Sequence, residues 1–506
     1  MTNILEYLDS SARLFPNKIF LKTPQEEITF KQFREVCQKE ASYITKYYQY
    51  EKKPILISST RSIQTVIDMI AVVMSGNYYI PIDLTQPNDR IHSYINISGS
   101  SLAIANEFDL KKFQSISSNI QFICNSKIKD THINYSILDN IRQKSCPADP
   151  LYGIFTSGST GIPKCVLASH NAVMTFINNF TEIFNFTNDT ILGNHSTFDF
   201  DASVKDIYSA MKTACTVHIF PKNFLLFPIK MIEYINKHNI NTAIFSVPVL
   251  KFIKKYDLLG QGYIPHSIKK ILFSGEVMPS SLLNYWIKYL PTAEYVNLYG
   301  PTESTCNCTY WICDREIPND QPVPIGKKFP HHDIILLNEE NELVEGDEIG
   351  EICVRGPALA LGYLNNKEKT NEVFIQNPLN KEYNDIIYRT GDLGKYHTDG
   401  NLLFLGRKDT QIKYNGHRIE LCEIELCARQ ILEVKDVFCF FDQVKDEIIL
   451  VYSSDIECSE DIIAYMRSKL PSWMIPRKIH HMKDLPINSR LKIDRIAIKK
   501  MFLKDI

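Results

Sequence analysis

A large N-terminal domain of α/β subdomains with a β-rich subdomain, followed by a small α+β C-terminal domain, is predicted by three textures along the 506-residue chain. Up to about residue 300, short apolar runs alternate with longer helical segments, as in parallel-sheet α/β domains. Residues 324–405 turn to short strands and glycine-rich turns, and beyond residue 407 helix-like and strand-like segments mix in a compact stretch. The division is placed at 1–408 and 409–506, each part long enough to bury its own core.

The elements follow from local patterns. Residues 1–15, with Glu6, Asp9 and Arg13, predict an amphipathic helix and lack the basic start, apolar centre and cleavage site of a leader. The apolar helical stretch 65–75 is short and holds Asp68, so it is not expected to span a bilayer. Residues 151–155 and 270–273 predict strands, 280–290 a helix, and 294–299 another strand. Ile349-Gly350-Glu351-Ile352-Cys353-Val354-Arg355-Gly356 typifies the β-rich part. Helices are expected near 423–431 and 460–469, with strands near 437–441 and 448–452. Open α/β sheets bind ligands at the carboxyl ends of their strands, so the loops after residues 155 and 299 are expected to serve one site.

Composition narrows the function classes. The chain is 44% hydrophobic and 23% charged with a net charge of -2, which gives no global attraction to nucleic acid or anionic membrane. A cytoplasmic protein without membrane insertion is expected. Thirteen cysteines are scattered, and Cys306, Cys308 and Cys313 lack the second pair or histidine spacing of a zinc site, so reduced core thiols are the expectation.

The segment Thr156-Ser157-Gly158-Ser159-Thr160-Gly161-Ile162-Pro163-Lys164 carries the strongest chemical signal. Glycine lets backbone N–H groups approach phosphate oxygens, the hydroxyls add donors, and Lys164 supplies a compact positive charge. It is not a Walker A loop, because Lys164 follows Pro163 and precedes Cys165. Taken alone, such a loop also suits a flexible surface connection.

Other motifs accompany it in order: Tyr79-Ile80-Pro81-Ile82-Asp83, Phe200-Asp201-Ala202-Ser203-Val204, Tyr299 to Glu303, Tyr388-Arg389-Thr390-Gly391-Asp392, Gly406-Arg407-Lys408-Asp409, Gly416-His417-Arg418-Ile419-Glu420 and Lys492-Ile493-Asp494-Arg495. The set resembles the adenylate-forming superfamily, specifically the amino-acid adenylation domains of nonribosomal peptide synthetases and the stand-alone ligases that load D-alanine onto a carrier protein. The resemblance implies two steps: a substrate carboxylate attacks the α-phosphorus of ATP, and a thiol then displaces AMP to give a thioester. Positioning and charge neutralisation, more than covalent help, are what such phosphoryl chemistry needs.

By the resemblance, the loop Thr156, Ser157, Gly158, Ser159, Thr160, Gly161 and Lys164 holds the β- and γ-phosphates, Glu303 holds Mg²⁺, and Thr302 donates to the α-phosphate. Tyr299 lies against adenine, Asp392 accepts from the ribose hydroxyls with Arg407 assisting, and Lys492 bridges the substrate carboxylate and the α-phosphate. The small domain is implied to be mobile, rotating about Asp409 and bringing residues 416–418 to the thiol tunnel. Each residue also has a plain alternative: a turn cap for Glu303, a loop-shaping role for Asp392, and a solvated charge run for Lys492 beside Arg490, Arg495, Lys499 and Lys500. The sequence departs from the family at Cys165, where glycine is usual, and at Arg490-Leu491, where Asn-Gly is usual.

Asp201 is implied to pair with the α-ammonium of an amino acid; its alternative is a strand-end cap. The implied pocket lining is Ala202, Lys205, Ser246, Leu272, Ser274, Leu298, Cys306 and Asn307. Lys205 suits an acidic side chain on the substrate; alternatively it pairs with Asp206 or snorkels outward. Phe273-Ser274-Gly275-Glu276-Val277 and Trp473-Met474-Ile475-Pro476-Arg477 look closer to the D-alanine ligases, which favours a small amino acid. The sequence ends soon after Lys492, so the thiol is expected in trans, on the phosphopantetheine of an acyl or peptidyl carrier protein whose acidic helices meet the basic residues 490–500. The rival readings are an acyl-CoA ligase and a non-catalytic nucleotide-binding regulator.

Overall fold

A computed structural model describes residues 3–48, 50–117, 119–128, 131–158, 161–314, 316–330, 332–344, 346–487 and 493–503. The chain divides into two compact units. The larger comprises Met1–Asp83, Ser98–Ile154 and Cys165–Lys408; the smaller comprises Leu84–Ile97, Phe155–Lys164 and Asp409–Ile506.

In the larger unit, the apolar runs Ile191–Asn194, Thr216–Ile219, Thr242–Ser246, Lys270–Ser274 and Glu294–Tyr299 form the parallel centre of a nine-stranded sheet. The strand predicted at 270–273 extends over Lys270–Ser274 and lies between its two neighbours, with Ser246 opposite Ser274 and Leu272 opposite Val296. Their register brings Ser246 and Ser274 side by side at the carboxyl edge, where open α/β sheets hold ligands. Antiparallel strands Glu27–Thr29, Thr309–Ile312 and Lys327–Lys328 close the two edges. A seven-stranded sheet is built around Pro54–Ser58 and Tyr78–Ile82, both fully buried, as parallel strands covered by helices require. The β-rich part is an antiparallel sheet of Asp333–Leu337, Gly350–Arg355, Phe374–Gln376, Ile386–Tyr396 and Leu402–Arg407.

The helix Ala202–Thr213 has residues 203–211 all buried, with Val204, Ile207, Tyr208 and Met211 in the main core cluster. A helix enclosed on every side cannot send its polar residues to water, which bears directly on Lys205. The helix Ile63–Met74 is equally buried, and among the described residues no helix is long and apolar enough to cross a membrane.

The smaller unit contains the hairpin Gln411–Tyr414/His417–Glu420 and a three-stranded sheet of Asp436–Asp442, Glu447–Ser453 and Lys478–Met482, with helices Leu421–Ala428, Ser459–Lys469 and Arg495–Phe502. Ile424, Val437, Leu450, Ile462 and Met466 form its core. The first helix begins earlier than residue 423 and ends before residue 431, because Leu421 and Ile424 anchor its start in that core while residues 429, 430, 432 and 433 are exposed.

Candidate functional site

Within the smaller unit, the glycines of the hydroxyl-rich loop are there for space and backbone conformation. A Cβ on Gly158 would lie 1.8 Å from the Ile162 carbonyl oxygen, and Gly161 has φ +79, a left-handed conformation that favours glycine. The Gly161 N–H closes the turn onto the Gly158 carbonyl at 3.0 Å. Ser157 Oγ donates to the Arg418 carbonyl at 2.7 Å, and Thr156 Oγ1 to the Lys164 carbonyl at 3.5 Å. Lys164 is buried where the next strand, Lys164–Ser169, begins. Ser159, Thr160 and Lys492, together with Arg490 and Leu491, lie outside the described residues. The hairpin turn is pinned by His417, whose ring stacks on Trp473 at 3.9 Å; burial pushes its imidazole down to about 4. Asp409 opens the last segment of this unit and accepts from the Gln411 N–H at 3.1 Å.

The departure at Cys165, in the larger unit, is matched by a second small residue. A Cβ on Gly153 would lie 2.7 Å from Cys165 Sγ, so the bare glycine is what admits the thiol. The thiol is fully buried, and burial drives its ionisation up.

Three clusters of the larger unit gather most of the remaining candidates. In the first, Asp392 and Arg407 are cross-strand partners and form an ion pair, while Tyr299 Oη donates to Asp392 Oδ2 at 2.5 Å. Burial, and then the adjacent carboxylate, hold the Tyr299 phenol well above its ordinary ionisation, so it stays a donor. Two donors leave an ionised carboxylate with further lone pairs, which suits acceptance from a vicinal diol.

The second cluster is built on the turn after the strand Glu294–Tyr299. A Cβ on Gly300 would lie 2.5 Å from the Asn307 Cα, so the loop folds tightly back on itself. Thr305 and Cys306 are successive non-glycine residues at φ 54 and 74, a strain of about 1–3 kcal/mol each that the surroundings must hold. They are held by Thr305 Oγ1 donating to the Ala358 carbonyl at 2.7 Å and by the Ala360 N–H donating to the Glu303 carbonyl at 2.8 Å. The Glu303 carboxylate, 0% exposed, accepts from Tyr363 Oη at 2.7 Å. A fixed, hard oxygen donor fits Mg²⁺, which takes one or two carboxylates together with phosphate oxygens. Among the described residues no group of three or more His, Cys, Asp or Glu could hold a metal ion by itself. Thr302 opens the same short turn.

The third cluster centres on the helix Ala202–Thr213. Asp201 occupies its N-cap position, and its side chain makes no capping hydrogen bond to the helix. Cys306 Sγ donates to the Asp201 carbonyl at 3.0 Å. Lys205 Nζ donates to Asn307 Oδ1 at 2.9 Å and to Ser274 Oγ at 3.3 Å. Both plain readings of Lys205 are therefore corrected: it is 1% exposed and does not snorkel, and it makes no ion pair with Asp206, which accepts instead from Asn194 Nδ2 at 2.5 Å. Ser246 Oγ bonds to His195 Nε2 at 3.1 Å. Ala202 is half-buried, while Leu272 and Leu298 sit in the core cluster.

Two residues of these clusters escape a reading of the sequence. Tyr363 lies 60 positions from Glu303, and a Gly-Tyr pair at a short strand carries no pattern that announces a long-range hydrogen bond. His195 follows the strand Ile191–Asn194 and accepts the Ser246 N–H at 3.1 Å; burial pushes it down to about 3, so it is neutral. Its place at a strand's carboxyl end, just ahead of Asp201, was the available signal.

The sequence matches the family described as AMP-binding enzyme over residues 8–364. It is 30% identical over 515 residues to the D-alanine--D-alanyl carrier protein ligase of Staphylococcus aureus (strain MRSA252), covering 99% of this chain and 99% of that one. Tyrocidine synthase 1 of Brevibacillus parabrevis is 27% identical over 500 residues, which are 98% of this chain and 45% of that protein; the chain thus spans under half of that relative. Among solved structures, the Vibrio cholerae adenylation domain AlmE, in complex with glycyl-adenosine-5'-phosphate, aligns with a TM-score of 0.83 at 20% identity over 99% of this chain and 98% of that one, a likeness of fold.

Proposed function

Because this chain belongs to the AMP-binding enzyme family, whose chemistry is adenylate formation, we propose that it activates an amino acid with ATP and passes it to the phosphopantetheine thiol of a carrier protein, as a D-alanine–carrier-protein ligase does. The observation that supports the amino-acid reading is the place of Asp201: it heads a buried helix beside the loop of Cys306, whose Sγ bonds to its carbonyl, and a carboxylate there suits a substrate ammonium. Fatty and aryl acids carry no ammonium to meet that carboxylate.

In the first step, a substrate carboxylate oxygen bonds to the α-phosphorus of ATP, and the bond to pyrophosphate breaks. The proposed task of the chain is to position and neutralise. Asp392, steadied by Tyr299 and Arg407, accepts from the ribose hydroxyls, and the Tyr299 ring backs the adenine. Thr302 donates to the α-phosphate, and the 156–164 loop with Lys164 holds the β- and γ-phosphates. Mg²⁺ supplies neutralisation of the phosphate oxygens when bound, and Glu303, oriented by Tyr363, is the residue that would hold it. Lys492 bridges the entering carboxylate and the α-phosphate. In the second step the carrier thiolate attacks the acyl carbon and AMP leaves, with the small domain turning at Asp409 and residues 416–418 lining the thiol path.

Radiolabelled amino acid is expected to transfer to a holo-carrier protein of the D-alanyl type and not to its apo form. Equal labelling of free coenzyme A would favour the acyl-CoA ligase reading, and ATP binding without turnover of any acid would favour the regulator.

A further inference from the structure

We infer that the site selects an α-amino acid bearing a side-chain carboxylate, with Lys205 as the residue that recognises it. The inference rests on the amino-acid activation proposed above and adds the class of side chain.

Lys205 is a cation sealed inside the protein whose hydrogen-bond partners are both neutral. It is 1% exposed, and its ammonium donates to the Asn307 amide oxygen at 2.9 Å and the Ser274 hydroxyl at 3.3 Å. Among the described residues no carboxylate forms an ion pair with it within 4.0 Å. An ammonium has three N–H donors, so two neutral acceptors leave one donor and no carboxylate in direct contact with the charge. The neighbouring acid, Asp206, feels the Lys205 charge only through space: its carboxyl bonds to Asn194, and burial, outweighing that bond and the lysine, raises it to about 7. Elsewhere in this unit even a part-exposed cation has its carboxylate, as Arg407 has Asp392. A buried charge left unpaired costs several kcal/mol, so an arrangement of this kind calls for an anion from outside the chain.

The position of Lys205 says which anion. Asp201 and Lys205 are four residues apart at the start of one helix, a rise of about 6 Å, so a negative and a positive group stand one turn apart beside the carboxyl edge of the sheet. An acidic amino acid carries the complementary pair: its ammonium faces Asp201, its side-chain carboxylate faces Lys205, and its α-carboxylate stays available for the phosphorus. Asn307, on the tight loop that also carries Glu303, and Ser274, at the strand end, fix the ammonium between them. A small amino acid, favoured by the resemblance of residues 273–277 and 473–477, offers Lys205 no anion to bind.

The test is ATP–pyrophosphate exchange by the full chain with aspartate, glutamate, asparagine, glutamine and alanine in both enantiomers. One acidic amino acid is expected to exceed its own amide in kcat/KM by at least about 10²-fold, the scale on which buried polar groups reject an analogue lacking the matching group. In Lys205→Met the acid-to-amide ratio is expected to collapse toward one. Exchange led by alanine or an amide overturns this inference and leaves amino-acid activation standing. Exchange with no amino acid overturns the activation itself. The wild-type ranking decides the matter even if the variant fails to fold.

Discussion

Replacing Asp201 with alanine is expected to lower amino-acid-dependent pyrophosphate exchange by about 10²- to 10³-fold in kcat/KM. The magnitude is that of losing a charge-assisted contact to the substrate, about 3–4 kcal/mol, since the substrate ammonium then loses its partner. Asp201→Asn keeps the shape and a neutral acceptor, so it separates charge from packing and is expected to fall nearly as far. Neither variant removes a helix cap, because the Asp201 side chain does not cap the helix Ala202–Thr213. Thermal stability should therefore change far less than activity. Unchanged exchange, or strong wild-type exchange with acids lacking an amino group, would transfer the assignment to the acyl-CoA ligases.

The second large effect is expected at Lys492. Lys492→Ala should lower adenylation by at least about 10²-fold, the scale for removing a preorganised donor at developing charge. The loss should be confined to that half-reaction. Thioester formation from supplied aminoacyl-AMP should persist, because the lysine is proposed to act only before the small domain turns. A variant with near wild-type adenylation removes the proposed role and returns Lys492 to the solvated basic run around Arg495, Lys499 and Lys500.

Strands were legible wherever apolar residues ran unbroken, as in Lys270–Ser274 and Glu294–Tyr299, since a parallel strand buried on both faces needs no alternation. The loop glycines were legible for a similar reason: Gly158 and Gly161 do what only glycine does cheaply. The left-handed turn at Thr305 and Cys306 was not, because neither residue type signals positive φ; the contacts from residues 358–360 impose it. The fate of Lys205 was equally hidden. Whether a helical lysine reaches water depends on what covers its helix, and the enclosure of residues 203–211 is a tertiary fact. Cys165 read as a departure in the phosphate loop, whereas its accommodation depends on Gly153, on the neighbouring, preceding strand of the same sheet.

The most direct test of adenylate formation is the fate of oxygen. The amino acid that supports exchange is prepared with ¹⁸O in its α-carboxylate, turned over with ATP and a holo-carrier protein, and the nucleotide and phosphate products are analysed by mass spectrometry. Attack on the α-phosphorus leaves one carboxylate oxygen on AMP when the thiol displaces it, so one ¹⁸O is expected in AMP and none in pyrophosphate. Label in orthophosphate with formation of ADP, or unlabelled AMP, would contradict it.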